Sequence, residues 1–247
     1  MLTKQRQDLL LGLLEERGSV TVTEVKEMLD ASESTIRRDI TALDREGRLV
    51  KVFGGAVALE QKVAAHEYTV AQKSGFNREE KRKIAEYAAS LIEPGDFVYL
   101  DAGTTTACML DYIEHDNVNF VTNAVAHAQR LAGLGRKVLL VGGELKASTG
   151  AVIGSQAMQT LLSYHFTKGF FGSNSVSRKA GCTTPDAEEA MIKRTAMGQC
   201  KKCYVLCDSS KFDRVSSVTF ASFGSVDFLT DRMPAGYEEC ENMTVVS

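Results

Sequence analysis

Two groups of residues carry types and spacings that can do chemistry. The first lies in SESTIRRDI, residues 32–40, where Arg37 and Arg38 stand side by side in a segment that reads as a helix. On a helical wheel Ile36, Ile40 and Leu43 share one face at spacing i, i+4, i+7, a stripe that must be buried. Ser34, Arg38, Thr41 and Arg45 fall on the opposite side, with Arg37 on its flank. Short hydroxyls beside guanidinium groups suit phosphate contacts and bidentate reading of guanine edges in a major groove. The plainer alternative is a solvated helix face whose arginines pair locally with Asp39 or Asp44.

The second group centres on DAGTTT, residues 101–106, which follows an apolar strand and opens a helix. Gly103 permits a close backbone turn. Thr104, Thr105 and Thr106 offer hydroxyls and N–H groups at a helix N-terminus, whose partial positive charge favours an anion such as phosphate. The Gly-Lys-Ser/Thr ending of a P-loop is missing. The next two strands end in Thr122-Asn123 and Gly142-Gly143, so three small or polar strand ends converge where open α/β sheets bind ligands. Taken singly, each is a common strand-to-helix turn. Glu189 and Lys193 lie four apart on one helix, in the favourable order. They read as a surface pair or, functionally, Lys193 and Lys211 read as cations beside a ligand phosphate.

The elements that must position these residues follow from periodicity. Residues 3–16 predict a helix stopped by Gly18, with Leu9, Leu10, Leu13 and Leu14 on one side. A β-like stretch at 19–22 precedes a second helix, capped by Thr23 and burying Val25, Met28 and Leu29. ASES is a turn of the length that joins a helix-turn-helix, which makes the 33–45 helix the one that enters a groove. RLVKVFGGAV then forms a β-pair, a wing with Lys51 near its tip. Residues 59–76 read as a linker. Asn77 caps a long helix, with Glu80 completing a capping box. Beyond it apolar strands at 97–101, 118–122, 137–143, 166–171 and 201–208 alternate with helices, and further strands fall near 217–223, 226–230 and 243–246. This predicts an α/β class, doubly wound, with a mainly parallel sheet covered on both faces. The domain plan is 1–58, a 59–76 linker and 77–247.

Composition narrows the function. The net charge of −3 gives no overall basic signature. Residues 34–55, however, hold five Lys/Arg against three Asp/Glu, so positive charge concentrates on the third helix and the wing. No apolar run reaches the ~20 residues that span a bilayer, and the charged N-terminus lacks a secretory core, so a cytoplasmic chain without membrane contact is expected. Six cysteines include the Cys200/Cys203 pair, but no second CxxC or close His pair accompanies it. They read as structural thiols, with no metal and no cofactor.

The segment GSVTVTEVKEMLDASESTIRRDITALDREGRLVKVFGGAV closely resembles the N-terminal winged helix-turn-helix domain of DeoR-type bacterial repressors. The family usually carries Arg-x-His before GGA, and this chain has Lys51-Val52-Phe53 there. The resemblance implies that Ser34, Thr35, Arg37 and Arg38 read operator DNA, with Thr41 and Lys51 beside them. DAGTTT, VTNA, VGGEL, FFGSNSV, GCTTPDAEEAMIKR and CDSSKF resemble the family's second domain, which is similar to ribose-5-phosphate-type sugar-phosphate isomerases. The resemblance implies a phosphorylated-sugar effector held by Asp101, Gly103–Thr106, Thr122, Asn123, Gly142, Gly143, Lys193 and Lys211. In those isomerases the loop matching Phe171–Val176 carries catalytic carboxylates. Here it reads FGSNSV, without a base to move a proton. The expected function is an effector-controlled repressor of a carbohydrate operon, not an enzyme, acting as a homo-oligomer, a dimer or tetramer. A sugar-phosphate isomerase with an accessory DNA-binding domain is the alternative.

Overall fold

The computed structural model describes residues 3–17, 19–29, 31–52, 54–57 and 76–246, in two compact units, Met1–His66 and Glu67–Ser247. Gly18 as a helix stop, Phe53 of the wing and the 59–75 part of the linker lie outside the described residues.

The first unit contains α1 (Thr3–Arg17), β1 (Ser19–Thr21), α2 (Val22–Leu29), α3 (Glu33–Arg45), β2 (Val50–Val52) and β3 (Gly55–Val57). Its core is Leu10, Leu14, Val22, Val25, Ile36, Ile40, Leu43 and Leu49, all buried. Each such aliphatic side chain contributes roughly 1.5–3 kcal/mol on burial. Two expectations shift. Leu9 and Met28, placed in the core by spacing, are about half exposed. The cap of α2 is Thr21, not Thr23: Thr21 Oγ1 accepts the Glu24 N–H, and Glu24 Oε2 accepts the Thr21 N–H at 2.8 Å. This reciprocal box wins because it satisfies two otherwise unpaired N–H groups at once. The wing is a three-stranded antiparallel sheet in the order β1-β3-β2. Its two glycines do different work. Gly54 turns the chain at φ +80°, while a Cβ on Gly55 would fall 2.1 Å from the Val20 carbonyl oxygen.

The second unit is built on a seven-stranded sheet in the order β15-β14-β12-β9-β4-β5-β6, every pair parallel. The strands are β4 (Phe97–Leu100), β5 (Asn119–Thr122), β6 (Lys137–Leu140), β9 (Phe166–Gly172), β12 (Cys200–Leu206), β14 (Asp227–Thr230) and β15 (Met243–Val245). Strand alternation sends side chains to two separate cores. Val98, Leu100, Phe120, Phe170, Tyr204 and Leu206 pack under α4 (Arg78–Ser90), α5 (Thr104–Met109) and α6 (Val125–Gly133). Tyr99, Val121, Phe171, Val205 and Phe228 pack under α7 (Ser155–Leu162) and α8 (Ala187–Gly198). This is the doubly wound arrangement that the alternation of strands and helices predicts.

Three details differ from expectation. The strand expected over 137–143 stops at Leu140, because Gly143 at φ +150° turns the chain into a hairpin of β7 (Glu144–Lys146) and β8 (Ala151–Ile153). The strand expected near 217–223 forms as β13 (Val218–Ala221), but it joins a small antiparallel sheet with β10 (Ser175–Ser177) and β11 (Gly181–Thr184), two short strands that the sequence pattern did not indicate. Asn77 does not cap α4 with its side chain. It sits in the left-handed region at φ 49°, and its amide reaches Asp208 Oδ1 at 2.9 Å and Ser210 Oγ at 3.2 Å. Donating to a carboxylate 131 residues away fixes the Asn77 amide away from the capping geometry.

Candidate functional site

In the first unit α3 starts at Ser32, whose hydroxyl accepts the Thr35 N–H at 3.2 Å. Such a cap contributes about 1 kcal/mol. Ile36, Ile40 and Leu43 fix the rotation of the helix by facing the core. Ser34, Arg37, Arg38 and Arg45 are thereby exposed, and Thr35 and Thr41 are half-buried. Asp39 does not compensate the arginines. It is buried and accepts from Arg6 Nε and Nη2 on α1, and this hydrogen bonding holds the Arg6 guanidinium above its ordinary pKa. Asp44 Oδ1 is also engaged, accepting the Lys51 N–H at 2.9 Å. Arg37 pairs with Glu33 one turn back at 2.7 Å. Arg38 and Arg45 have no acidic partner among the described residues.

Lys51 lies mid-strand in β2 rather than at the turn of the wing, and its Nζ donates to Thr41 Oγ1 at 3.0 Å. Thr41 in turn donates to the Arg37 carbonyl. The wing is therefore hooked to the polar face of α3, and its ammonium joins the same positive surface.

In the second unit the predicted residues gather at the carboxyl ends of the parallel strands. The chain runs outward from β4 through β5 to β6, then returns to place β9 on the other side of β4. The reversal point, between β4 and β9, is where open α/β sheets form a ligand crevice. Asp101 follows β4 there and Gly172 ends β9. Asp101 Oδ2 accepts the Gly172 N–H at 3.1 Å and is ion-paired with Lys193, whose Nζ also donates to the Gly172 carbonyl at 3.1 Å. Asp101 and Lys193 are both buried. Burial pushes the Asp101 carboxyl above the usual carboxylate range, with Lys193 and the Gly172 N–H pulling the other way. The surface pairing of Glu189 with Lys193 does not form. Glu189 is buried and instead accepts from Thr149 Oγ1 at 2.7 Å and pairs with Lys146, which also reaches Asp186 at 2.9 Å.

The polar strand ends brace one another. Thr106 Oγ1 donates to the Asp101 carbonyl at 2.7 Å, and Thr122 Oγ1 to the Leu100 carbonyl at 2.7 Å. Asn123 Oδ1 accepts the Ala102 N–H at 3.0 Å. Thr105 is buried and Gly103 and Thr104 are partly open. At the end of β6, Gly143 is held where a Cβ would lie 2.5 Å from the Ile153 carbonyl, so its bareness serves the hairpin contact, while Gly142 is exposed. Lys211 is half-buried in a short 3-10 turn, Ser209–Lys211, beyond β12.

Two residues at this edge were missed by sequence reasoning. Asp208, which follows β12, is buried and caps the turn carrying Lys211 through the Ser210 N–H. Lys81 on α4 is 6% exposed, and desolvation lowers its pKa against the pull of Asp208 and with the push of Lys211. A signal existed: Lys81 shares the i, i+3, i+4, i+7 stripe with Ile84, Ala85 and Ala88, a lysine on an apolar face. In the loop 172–175, Ser173 donates to the Ser175 carbonyl at 2.8 Å and the residues include no carboxylate. Among the described residues no group of three His, Cys, Asp or Glu side chains is disposed to hold a metal ion, and no helix is long and apolar enough to cross a membrane.

A winged helix-turn-helix unit and an α/β unit with cations at its strand ends define a helix-turn-helix transcriptional regulator with a sensor domain. Comparison with known proteins gives the family. Residues 6–62 match the DeoR-like helix-turn-helix domain, and residues 76–232 match the DeoR C terminal sensor domain. The chain belongs to the DeoR family of transcriptional regulators and is not an enzyme. It is 41% identical over 248 residues, covering 100% of this chain and 98% of the other, to the HTH-type transcriptional regulator FruR of Bacillus subtilis strain 168. It is 34% identical to the lactose phosphotransferase system repressor of Streptococcus mutans, covering 93% of this chain and 91% of that one. It is 33% identical to a putative aga operon transcriptional repressor of Escherichia coli O157:H7, covering 87% and 80%. Among solved structures, ribose 5-phosphate isomerase A of Methanocaldococcus jannaschii matches 55% of each chain at 15% identity and a TM-score of 0.42.

Proposed function

We propose that the chain represses an operon of carbohydrate metabolism, binds operator DNA through α3 as a homo-oligomer, and is controlled by a phosphorylated sugar at the carboxyl edge of β4, β9 and β12. The observation that carries the sensing part is the set of cations at that edge. Lys81 and Lys193 are buried and Lys211 is half-buried. Lys193 is balanced by Asp101 and Lys81 is drawn by Asp208, yet desolvation and the neighbouring Lys211 still depress the Lys81 pKa, so a further anion at this edge favours the charged lysines. A phosphate dianion supplies that charge, while Asp101, Asp208 and the partly open Thr104 offer acceptors and a donor to sugar hydroxyls. The names of the relatives, repressors of a lactose phosphotransferase system and of an aga operon, support a sugar-linked operon. For the DNA part the support is the outer face of α3, with Ser34, Thr35, Arg37, Arg38 and Thr41 beside Lys51. The effector releases DNA with a coupling of ~1–3 kcal/mol, about 5–150-fold in affinity.

The test is operator release measured by gel shift against a panel of pentose and hexose phosphates, each beside its unphosphorylated sugar. At least one phosphate ester weakens binding and its parent sugar does not. The Thr105→Glu variant, which puts a carboxylate in the first turn of α5 beside the partly open Thr104, binds operator normally and ignores the effector. A panel without any response, or a response that survives Thr105→Glu undiminished, overturns the reading.

A further inference from the structure

One stretch of the second unit is finished unlike the rest. β6 is the last strand of the parallel sheet, and its outer row of N–H and C=O groups has no partner strand among the described residues. Parallel sheets normally carry apolar residues on both faces because helices cover both. Here the covering stops short. Leu139 and Leu140, which point to opposite faces, are 43% and 45% exposed. Leu134, just before the strand, and Leu145, just after it, are 56% and 57% exposed. Beneath Leu139 an apolar groove is lined by Phe97, Asn119, Phe120, Lys137 and Leu139. Natural edge strands are usually blunted by proline, bulges or charge. KVLLVGGEL has no proline, and its exposed charges are Lys137 at one end and Glu144 at the other. Arg136, its neighbour, is taken up by Asp116 and the Ile113 carbonyl.

We propose that β6 pairs antiparallel with β6 of a second copy of this chain, joining two seven-stranded sheets edge to edge about a two-fold axis. Two features of the stretch select this occupant. A closed dimer requires a patch that fits itself, and a strand meets its own copy about a two-fold axis only when the two run antiparallel. The charges fit the same arrangement. With the axis through Leu139, which then faces its own copy, Lys137 of each copy lies level with Val141 of the other on the same face, from which the chain runs on to Glu144. Opposite charges then approach twice, whereas a parallel pairing would set Lys137 against Lys137. The exposed leucines meet across the axis, and each unpaired backbone row gains the other as its ladder. The pairing stands independently of which effector the site takes.

Sedimentation velocity on the full chain across a wide concentration range tests this. The wild type associates. L139K/L140K weakens association by roughly tenfold or more, lowering the mass by one association step, whether tetramer to dimer or dimer to monomer. L162K, at an equally exposed leucine on α7, does not. K137E and E144K each weaken association, and the K137E/E144K swap regains it. Thermal melts accompany each variant; if L139K/L140K melts early, the charge set alone decides. A wild type that is monomeric at every concentration, or an L139K/L140K protein that associates as the wild type does, overturns the interface. A swap without recovery overturns the antiparallel pairing.

Discussion

The two units handle positive charge in opposite ways. The first leaves Arg38 and Arg45 in solvent with no acidic partner among the described residues, and turns its buried acid, Asp39, toward Arg6 in the interior. The second buries Lys193 against Asp101 and buries Lys81 on α4 within the fields of Asp208 and Lys211. The difference matches the size of what each would meet. A duplex is a long polyanion that a rigid exposed surface can address without losing much hydration beforehand. A small anion offers few contacts, so a site for it must be desolvated in advance, where each interaction counts for more. An exposed cation costs the fold almost nothing; a buried one must be held by charges the fold itself supplies, as Asp101 holds Lys193.

If that contrast is right, removing a cation should injure the second unit's stability and only the first unit's binding. Lys193→Met leaves Asp101 buried without its partner and destabilises the second unit by about 3–5 kcal/mol. Asp101→Asn on top of it recovers much of the loss, as read by urea unfolding. A cost below ~1 kcal/mol would place the pair among ordinary surface bridges and break the contrast.

A second measure uses acid. His127 on α6 is buried, and desolvation lowers its pKa from 6.5 to about 4. The unfolded chain therefore takes up the proton first. The stability due to the neutral ring is complete above about pH 6.5 and is lost as pH falls toward about 4, roughly 3 kcal/mol in all. His127→Gln flattens that slope in unfolding measured from pH 7 to 4, and an unchanged slope would remove His127 from the account.

Arg38→Ala costs about 1–3 kcal/mol of operator affinity and leaves the melting of the second unit where it was. The smallest effect sharpens the comparison within α3 itself. Arg37 is already half-neutralised by Glu33, so Arg37→Ala costs under ~1 kcal/mol, and Glu33→Gln tightens operator binding by a similar amount with a steeper salt dependence. Equal losses at Arg37 and Arg38 would show that the Glu33 pair does not persist on DNA.

Much of this was legible because it rests on short-range rules. The i, i+4, i+7 stripe of Ile36, Ile40 and Leu43 fixed which side of α3 is outside, and the succession of apolar strands and helices required a covered parallel sheet. What escaped was set by partners distant in sequence. Asp39 looked available to its neighbours, yet Arg6 lies 33 positions away and across the core. Glu189 and Lys193 had ideal spacing for each other, but each found a better-buried partner on a different strand or hairpin. Asn77 carried a capping signature and was drawn to Asp208. Tertiary packing, not local spacing, decides such competitions, helix against helix for Asp39 and across the sheet edge for Lys193. Lys81 is the exception: its place on the apolar stripe was visible and pointed to the site.

The adjacent glycines of the GGA string give the first unit an uneven tolerance to change. A methyl group on Gly54 meets only torsional resistance, since nothing stands within 4 Å. The same methyl on Gly55 would prise β3 off β1 at Val20 and, through β2, slacken the tie from Lys51 to Thr41. The surface proposed to face DNA can thus be mistuned from behind, by one carbon atom placed outside that surface.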